Sequence, residues 1–280
     1  MINALTIDVE DYFQVNAFAQ CIDRSAWDSM PYRVVNNTHR CLDLLDQYGL
    51  KATFFVLGWV AKRSPEIVRE IQTRGHEIAS HGYGHQLLYN IGPDAFRDDI
   101  RRSKHSLEDI AGVAVLGYRA PSYSITGKSL WAFDILLEEG FRYDSSVFPV
   151  VHDVYGIPDA HRFPYSIERA LGTLQEFPMS TYEFSLFGKN RRLGVAGGGY
   201  LRLLPVRFIE KSIRAINKKH KQPAVLYFHP WELDPEQPRI KAGFKSRFRH
   251  YHNLNRTEKK LQHLFNVFNF APMEQILSKI

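Results

Sequence analysis

The strongest constraint on the fold is an alternation. Short apolar runs rich in Val, Ile, Phe and Tyr at residues 4–9, 52–57, 77–80, 115–118, 174–177 and 224–228 read as strands. Helical periodicity separates them, at residues 38–48, after Ser64-Pro65, and at 94–110, 128–139 and 206–219. Gly49, Gly75, Gly112 and Gly140 stand where four of these helices should stop. Repeated strand-helix alternation implies a mostly parallel sheet covered by helices, barrel-like or doubly wound, whose ligands gather at the C-terminal ends of the strands.

Residues 148–164 break the pattern. They hold Pro149, Pro158 and Pro164 with His152 and His161, show no periodicity, and read as a long loop rather than a domain boundary. No internal repeat or low-complexity linker divides the 280 residues, so residues 1–280 are expected to form one domain, elaborated in the C-terminal third.

Composition narrows the class of protein. Hydrophobic residues at 44% and charged residues at 24% argue against a disordered chain. No run approaches the ~18 apolar residues of a membrane span, and the first residues lack a basic-then-apolar leader. Cys21 and Cys41 lack CxxC spacing. The expectation is a cytoplasmic protein, with peripheral membrane association left open. The net charge of +6 is unevenly spread: between Arg239 and Lys260 there are eight Lys or Arg and one acid, Glu258. That stretch suits a phosphate, an acidic glycan or a membrane surface, and equally a plain solvated face. No nucleic-acid motif accompanies it, and no nucleic acid is expected as a partner.

Four segments carry chemistry, each at the end of an expected strand. "LTIDVEDYF" places Asp8, Glu10 and Asp11 within four residues. "ASHGYGH" sets His81 and His85 four apart, a spacing from which two imidazoles can reach one cation. With 12 His in the chain, about half such a pair arises by chance, so the pair alone decides little. "YRAPSYS" offers Arg119 to hold a carboxylate, and a Pro121-stiffened backbone near Tyr123 whose N–H groups could face a substrate oxygen. "AVLYFHPWE" delivers His229. Two His and one carboxylate make a facial metal site with positions left for water and substrate.

In this order the segments resemble the polysaccharide deacetylase family, the NodB-homology or carbohydrate esterase family 4 proteins, over most of the chain. The family's TFDD motif corresponds to Thr6-Ile7-Asp8-Val9-Glu10-Asp11, its H-[ST]-x-x-H to His81-Gly82-Tyr83-Gly84-His85, its Arg-x-Pro to Arg119-Ala120-Pro121, and its L-x-H to Tyr227-Phe228-His229. "GGGYLRLLP", "YFHPWELDPEQPR" and "FRHYHNLNRTEKKL" further resemble a subfamily of bacterial exopolysaccharide loci, whose extra C-terminal region would occupy residues of about 180–280.

The resemblance implies a distorted (β/α) barrel and a metal-dependent hydrolase that removes N-acetyl groups from amino sugars. Asp8 would be the base, His229 the acid, and Arg119 the group orienting Asp8. A backbone N–H near Tyr123 would steady the oxyanion, and Asp144, in "RYDSSVFP", would support the catalytic histidine. His81 and His85 with Glu10 or Asp11 would bind a divalent metal, zinc first, with cobalt, nickel or iron also compatible. The partners implied are an N-acetylated glycan or its lipid-linked precursor, and exopolysaccharide machinery.

Three departures stand out. The second acid of the first motif is displaced by Val9, Gly82 replaces Ser or Thr, and Ser122 stands where the family often has an aromatic, with Tyr123 one place later. Strand alternation puts Glu10 on the side of Asp8, whereas a bulge would favour Asp11. Two other readings stay open: a carbohydrate-binding component with a decayed site, and another C–N hydrolase, deformylase-like, on the same scaffold.

Overall fold

The computed structural model describes residues 1–186, 188–195 and 197–279. The first half alternates as β1 (Ile2–Val9), α1 (Val34–Gln47), β2 (Thr53–Val56), α2 (Gly58–Arg63), α3 (Pro65–Thr73), β3 (Glu77–Ser80), α4 (Leu88–Ala111), β4 (Gly117–Tyr118), α5 (Ala132–Glu138) and β5 (Tyr143–Asp144). Two hairpins follow, β6 (Tyr165–Arg169) with β7 (Gly172–Glu176), and β8 (Thr181–Leu186) with β9 (Lys189–Gly194). The chain then runs through α6 (Gly198–Leu203), α7 (Val206–Lys219), β10 (Val225–Phe228), α8 (Phe244–Tyr251), α9 (Leu254–Val267), β11 (Asn269–Ala271) and α10 (Met273–Leu277).

The main sheet has the order β10-β1-β2-β3-β4-β5-β7-β6, with β11 paired to the start of β1. Every pairing from β10 to β7 is parallel, and β6 joins β7 antiparallel. No pairing among the described residues links β6 to β10, so the expected barrel is a curled half-barrel.

Strand alternation sorts β1 between two cores. Leu5, Ile7 and Val9 join the main core with Leu42 and Leu45 of α1, Val60 of α2, Ile67 of α3 and Ile213 of α7. Ala4 lies on the other face with Phe55, Ala79, Tyr143 and Tyr227, inside the curl. Thr6 and Asp8 share that inner face by the same period. Parallel pairing then brings the C-terminal ends of β10, β1, β2, β3 and β4 side by side at one mouth, where the register sets Ile7 against Phe228 and Ser80 against Tyr118.

Helix α4 is broken at Gly92 (φ 76°, ψ 176°) just before Pro93, which is why its periodicity reads only from Asp94. Residues 145–164 form neither helix nor strand. No helix among the described residues is long and apolar enough to cross a membrane.

Candidate active site

The three carboxylates at the end of β1 separate by local geometry. The Glu10 N–H bonds back to the Asp8 carbonyl at 3.1 Å, a tight turn at Val9 that keeps Glu10 over the mouth. Asp11 turns away. Its Oδ2 accepts the Arg33 and Val34 N–H groups at 2.7 and 2.9 Å, and its Oδ1 the Tyr12 N–H at 2.8 Å. It therefore holds the start of α1, satisfying N–H groups that have no partner within the helix. Named above as one of two alternative ligands, Asp11 lies outside the cluster that Glu10 joins.

Glu10, His81 and His85 are buried, and one ligand atom from each lies within 4.8 Å of the others. The His81 Nδ1–H donates to the Arg119 carbonyl at 2.8 Å, which leaves Nε2 as a free lone pair. Burial lowers the His81 imidazole to about 4, the neutral form a cation requires. Glu10 Oε2 is 2.7 Å from His85 Nε2, yet this buried oxygen has no hydrogen-bond partner. Burial would raise the Glu10 carboxyl, but His85, His229 and His81 together bring it to about 2. An unpartnered carboxylate oxygen beside two imidazoles fits a divalent cation, and the N2O donor set suits zinc.

The histidine loop is pinned from both sides. Asp99 accepts the Tyr83 and Gly84 N–H groups at 2.7 and 3.0 Å, while Arg24 donates to the Gly84 and His85 carbonyls at 2.6 and 2.9 Å. Gly82 adopts φ +72°, and a Cβ there would sit 2.7 Å from Asp99 Oδ2. The glycine in place of Ser or Thr is thus required by the loop's approach to Asp99.

Arg119, fully buried, holds the neighbouring carboxylate. Its Nη1 donates to Asp8 Oδ1 and to Thr6 Oγ1, both at 2.7 Å, and its remaining donors reach the Ser145 carbonyl and hydroxyl. The guanidinium lies 4.1 Å from the Phe55 ring centroid, with Tyr123 and Tyr227 near 6 Å.

His229 approaches from β10, its Nε2 3.6 Å from Glu10 Oε1 and 3.9 Å from Asp8 Oδ2. Its Nδ1 bonds Glu232 Oε2 at 2.9 Å, and Glu232 Oε1 accepts Arg202 Nε of α6 at 2.5 Å. Burial opposes the imidazolium, but Glu232, then Glu10 and Asp8, raise it to about 9. Glu232, not Asp144, therefore supports His229. Asp144 sits at the end of β5, bonded to Ser146 and paired in register with Glu176. The signal for Glu232 was present in the sequence: an acid three residues after His229 matches a capping box, which the structure forms. Arg202 carried no such mark.

Where a backbone N–H near Tyr123 was expected to face a substrate oxygen, Ser122 and Tyr123 are left-handed (φ 51° and 54°), and the N–H of Tyr123 itself donates to the Ala120 carbonyl at 3.0 Å. Its side chain instead lines a cavity of about 480 Å³ over the cluster. Trp231 lines it too, its Nε1 donating to Glu10 Oε1 at 3.2 Å, as do Tyr155, Tyr200 and Tyr227. Tyr12, Trp59 and Tyr83 are not part of that lining. In the triple glycine, Gly197 passes so close to Tyr227 that a Cβ would lie 1.8 Å from Cδ1, whereas Gly199 faces open space on the cavity wall.

A half-barrel with a His/His/Glu cluster at its strand ends defines an α/β protein with a candidate metal site, and known proteins resemble it in two parts. The polysaccharide deacetylase profile matches residues 25–135, and a domain of unknown function, DUF3473, matches residues 145–278. The chain thus carries a polysaccharide deacetylase domain followed by a DUF3473 region. It is 38% identical over 96 residues to a peptidoglycan-N-acetylglucosamine deacetylase of Bacillus cereus, covering 34% of this chain and 35% of the relative. It is 30% identical over 95 residues to a chitooligosaccharide deacetylase of Bradyrhizobium, covering 34% of this chain and 41% of that one. The match thus spans well under half the length of these curated relatives. A crystal structure from Mycobacterium smegmatis, assigned as a polysaccharide deacetylase, aligns over 100% of this chain and 89% of its own at TM-score 0.65 and 25% identity.

Proposed function

We propose that the protein is a metal-dependent N-deacetylase acting on N-acetylated amino sugars of a glycan. The observation that carries this reading is the Glu10/His81/His85 cluster with Asp8 and His229 beside it, on the floor of one aromatic-lined cavity. Glu10, His81 and His85 would hold the ion, zinc first, with cobalt, nickel or iron also compatible. A divalent ion here supplies Lewis acidity toward water and the acetamide carbonyl. Asp8, fixed by Arg119, takes the proton from the attacking water. His229 Nε2 gives one to the departing amine as the C–N bond breaks, leaving acetate and the free amino sugar. Trp231, Tyr123 and Tyr227 exclude bulk water and offer ring faces to a pyranose.

The relatives' names support a glycan substrate. The exopolysaccharide setting and a lipid-linked precursor rest on the subfamily resemblance. A decayed binding component drew its support from the displaced acid, and Glu10's place beside both histidines weighs against it. The test is acetate release from N-acetylated chitooligosaccharides and peptidoglycan fragments, with chelator and metal add-back, alongside N-formyl analogues. Chelator-insensitive release, or none from metal-loaded protein across that panel, overturns the reading. Preference for the formyl analogues selects the other C–N hydrolase. Asp8→Asn should keep its metal while losing about 10²–10⁴-fold in turnover.

A further inference from the structure

Helix α8 is built inside out. Its sequence FKSRFRHY buries His250, which stacks on Trp231 at 4.2 Å and lies 4.6 Å from Phe18. Phe244 and Phe248, one turn apart on the outer face, are 83% and 44% exposed. A solvated helix would place phenylalanine inward and histidine outward, so this outer face is fitted to a less aqueous surrounding.

Cations surround it. Lys241, Lys245, Arg247 and Arg249 are exposed, and no ion pair among the described residues engages any of them. The cavity opens beside this face, since Arg249 and His250 line its wall together with Leu203, itself 45% exposed. The 77% exposed Val151 adjoins the cavity-lining His152.

We infer that α8 docks the protein on an anionic phospholipid surface, Phe244 and Phe248 entering the headgroup boundary and the four cations meeting lipid phosphates. Aromatic side chains flanked by Lys and Arg on a short helix suit that interface, and the unpaired positive charge complements it. The cavity mouth then opens at the membrane, where a glycan borne on a lipid would be presented. The docking does not depend on the deacetylase reading.

Flotation of the full chain with phosphatidylcholine vesicles, with and without phosphatidylglycerol, tests this at low and physiological salt. Binding should require the anionic lipid and weaken as salt rises. The F244S/F248S double variant should bind at least about tenfold more weakly. K245S/R247S should lose about fivefold per charge removed. Both should keep the wild-type melting temperature and whatever acetate release the protein shows on a soluble oligosaccharide, which separates failed docking from a failed fold or a failed activity. No flotation with anionic vesicles at low salt overturns the proposal, as does binding that the phenylalanine variant leaves intact, which would mark a surface for soluble polyanions. A concentration-dependent dimer abolished by F244S/F248S would assign the face to a second copy instead.

Discussion

Glu232 Oε2 lies 2.9 Å from both the backbone nitrogen and the ring Nδ1 of His229. One carboxylate oxygen thus fixes where the ring sits and which nitrogen faces the cavity. It also supplies the charge that raises the imidazolium to about 9 against the opposing effect of burial. A cation beside Glu10 would cancel that residue's share of the attraction and leave Glu232's. As the acid, His229 must be protonated, so turnover should hold through neutral pH and fall as pH rises through its pKa. Glu232→Gln removes the raising charge and leaves burial in command. The alkaline limb of the kcat profile should move acidward, and kcat at pH 8 should fall about 10–100-fold, with metal content unchanged. An unmoved limb would separate His229 from the acid step.

The choice between two adjacent carboxylates can be checked by metal analysis. Glu10→Gln should weaken metal binding at least about 100-fold. Asp11→Asn should leave it intact, because Asp11 is occupied by the Arg33 and Val34 N–H groups at the start of α1 and by the N–H of its neighbour Tyr12. Asp11→Ala should lower unfolding stability by about 1–2 kcal/mol, the usual cost of losing an N-terminal helix cap. Metal lost in Asp11→Asn with the fold intact would reverse the assignment.

How far the sequence carried depended on the range of each interaction. The strand-helix alternation is a local pattern, so the sheet and its helices were legible, as were Asp8, His81, His85, Arg119 and His229 at strand ends. Strand alternation set Glu10 rather than Asp11 on the side of Asp8, but the hydrogen bond across Val9 that keeps it over the mouth is not written in the sequence. The turn at Ser122 and Tyr123 was not legible, because it rests on two consecutive left-handed residues, neither of them glycine. Arg202 meets Glu232 from 30 residues away, and nothing in its own segment, GGGYLRLLP, points to that partner. Residues 240–280 resisted reading because α8 exposes its phenylalanines and β11 is only three residues long.

Gly197 and Gly199 should behave oppositely when given a methyl group. At Gly197 the new Cβ collides with Tyr227, which pairs with it in an isolated parallel bridge, so Gly197→Ala should cost about 1–3 kcal/mol in unfolding and disturb the cavity wall. At Gly199 no atom lies within 4 Å of the added carbon. Gly199→Ala should therefore melt like wild type, and if the sugar passes along this wall its KM should rise while kcat holds. A wild-type KM would place the sugar elsewhere in the cavity.

Behind Arg119, Asp144 and Glu176 face each other across the β5–β7 pairing, both fully buried. The Glu176 Oε1 accepts the Val147 N–H at 3.1 Å, while its Oε2 has no donor. Burial, then the neighbouring Asp144, pushes the Glu176 carboxyl well above its ordinary value, so the pair holds a proton in the fold. For an acid raised on folding, the stabilisation is complete below the unfolded pKa near 4.5 and drains away as pH rises through the folded one. Glu176→Gln supplies that proton permanently, its amide donating toward Asp144 while its carbonyl keeps the Val147 N–H. Thermal unfolding should find the variant more stable than wild type by about 1–2 kcal/mol at pH 8, with the advantage gone near pH 4. A variant less stable at pH 8 would mean that both carboxylates are ionised there and are balanced by Arg119.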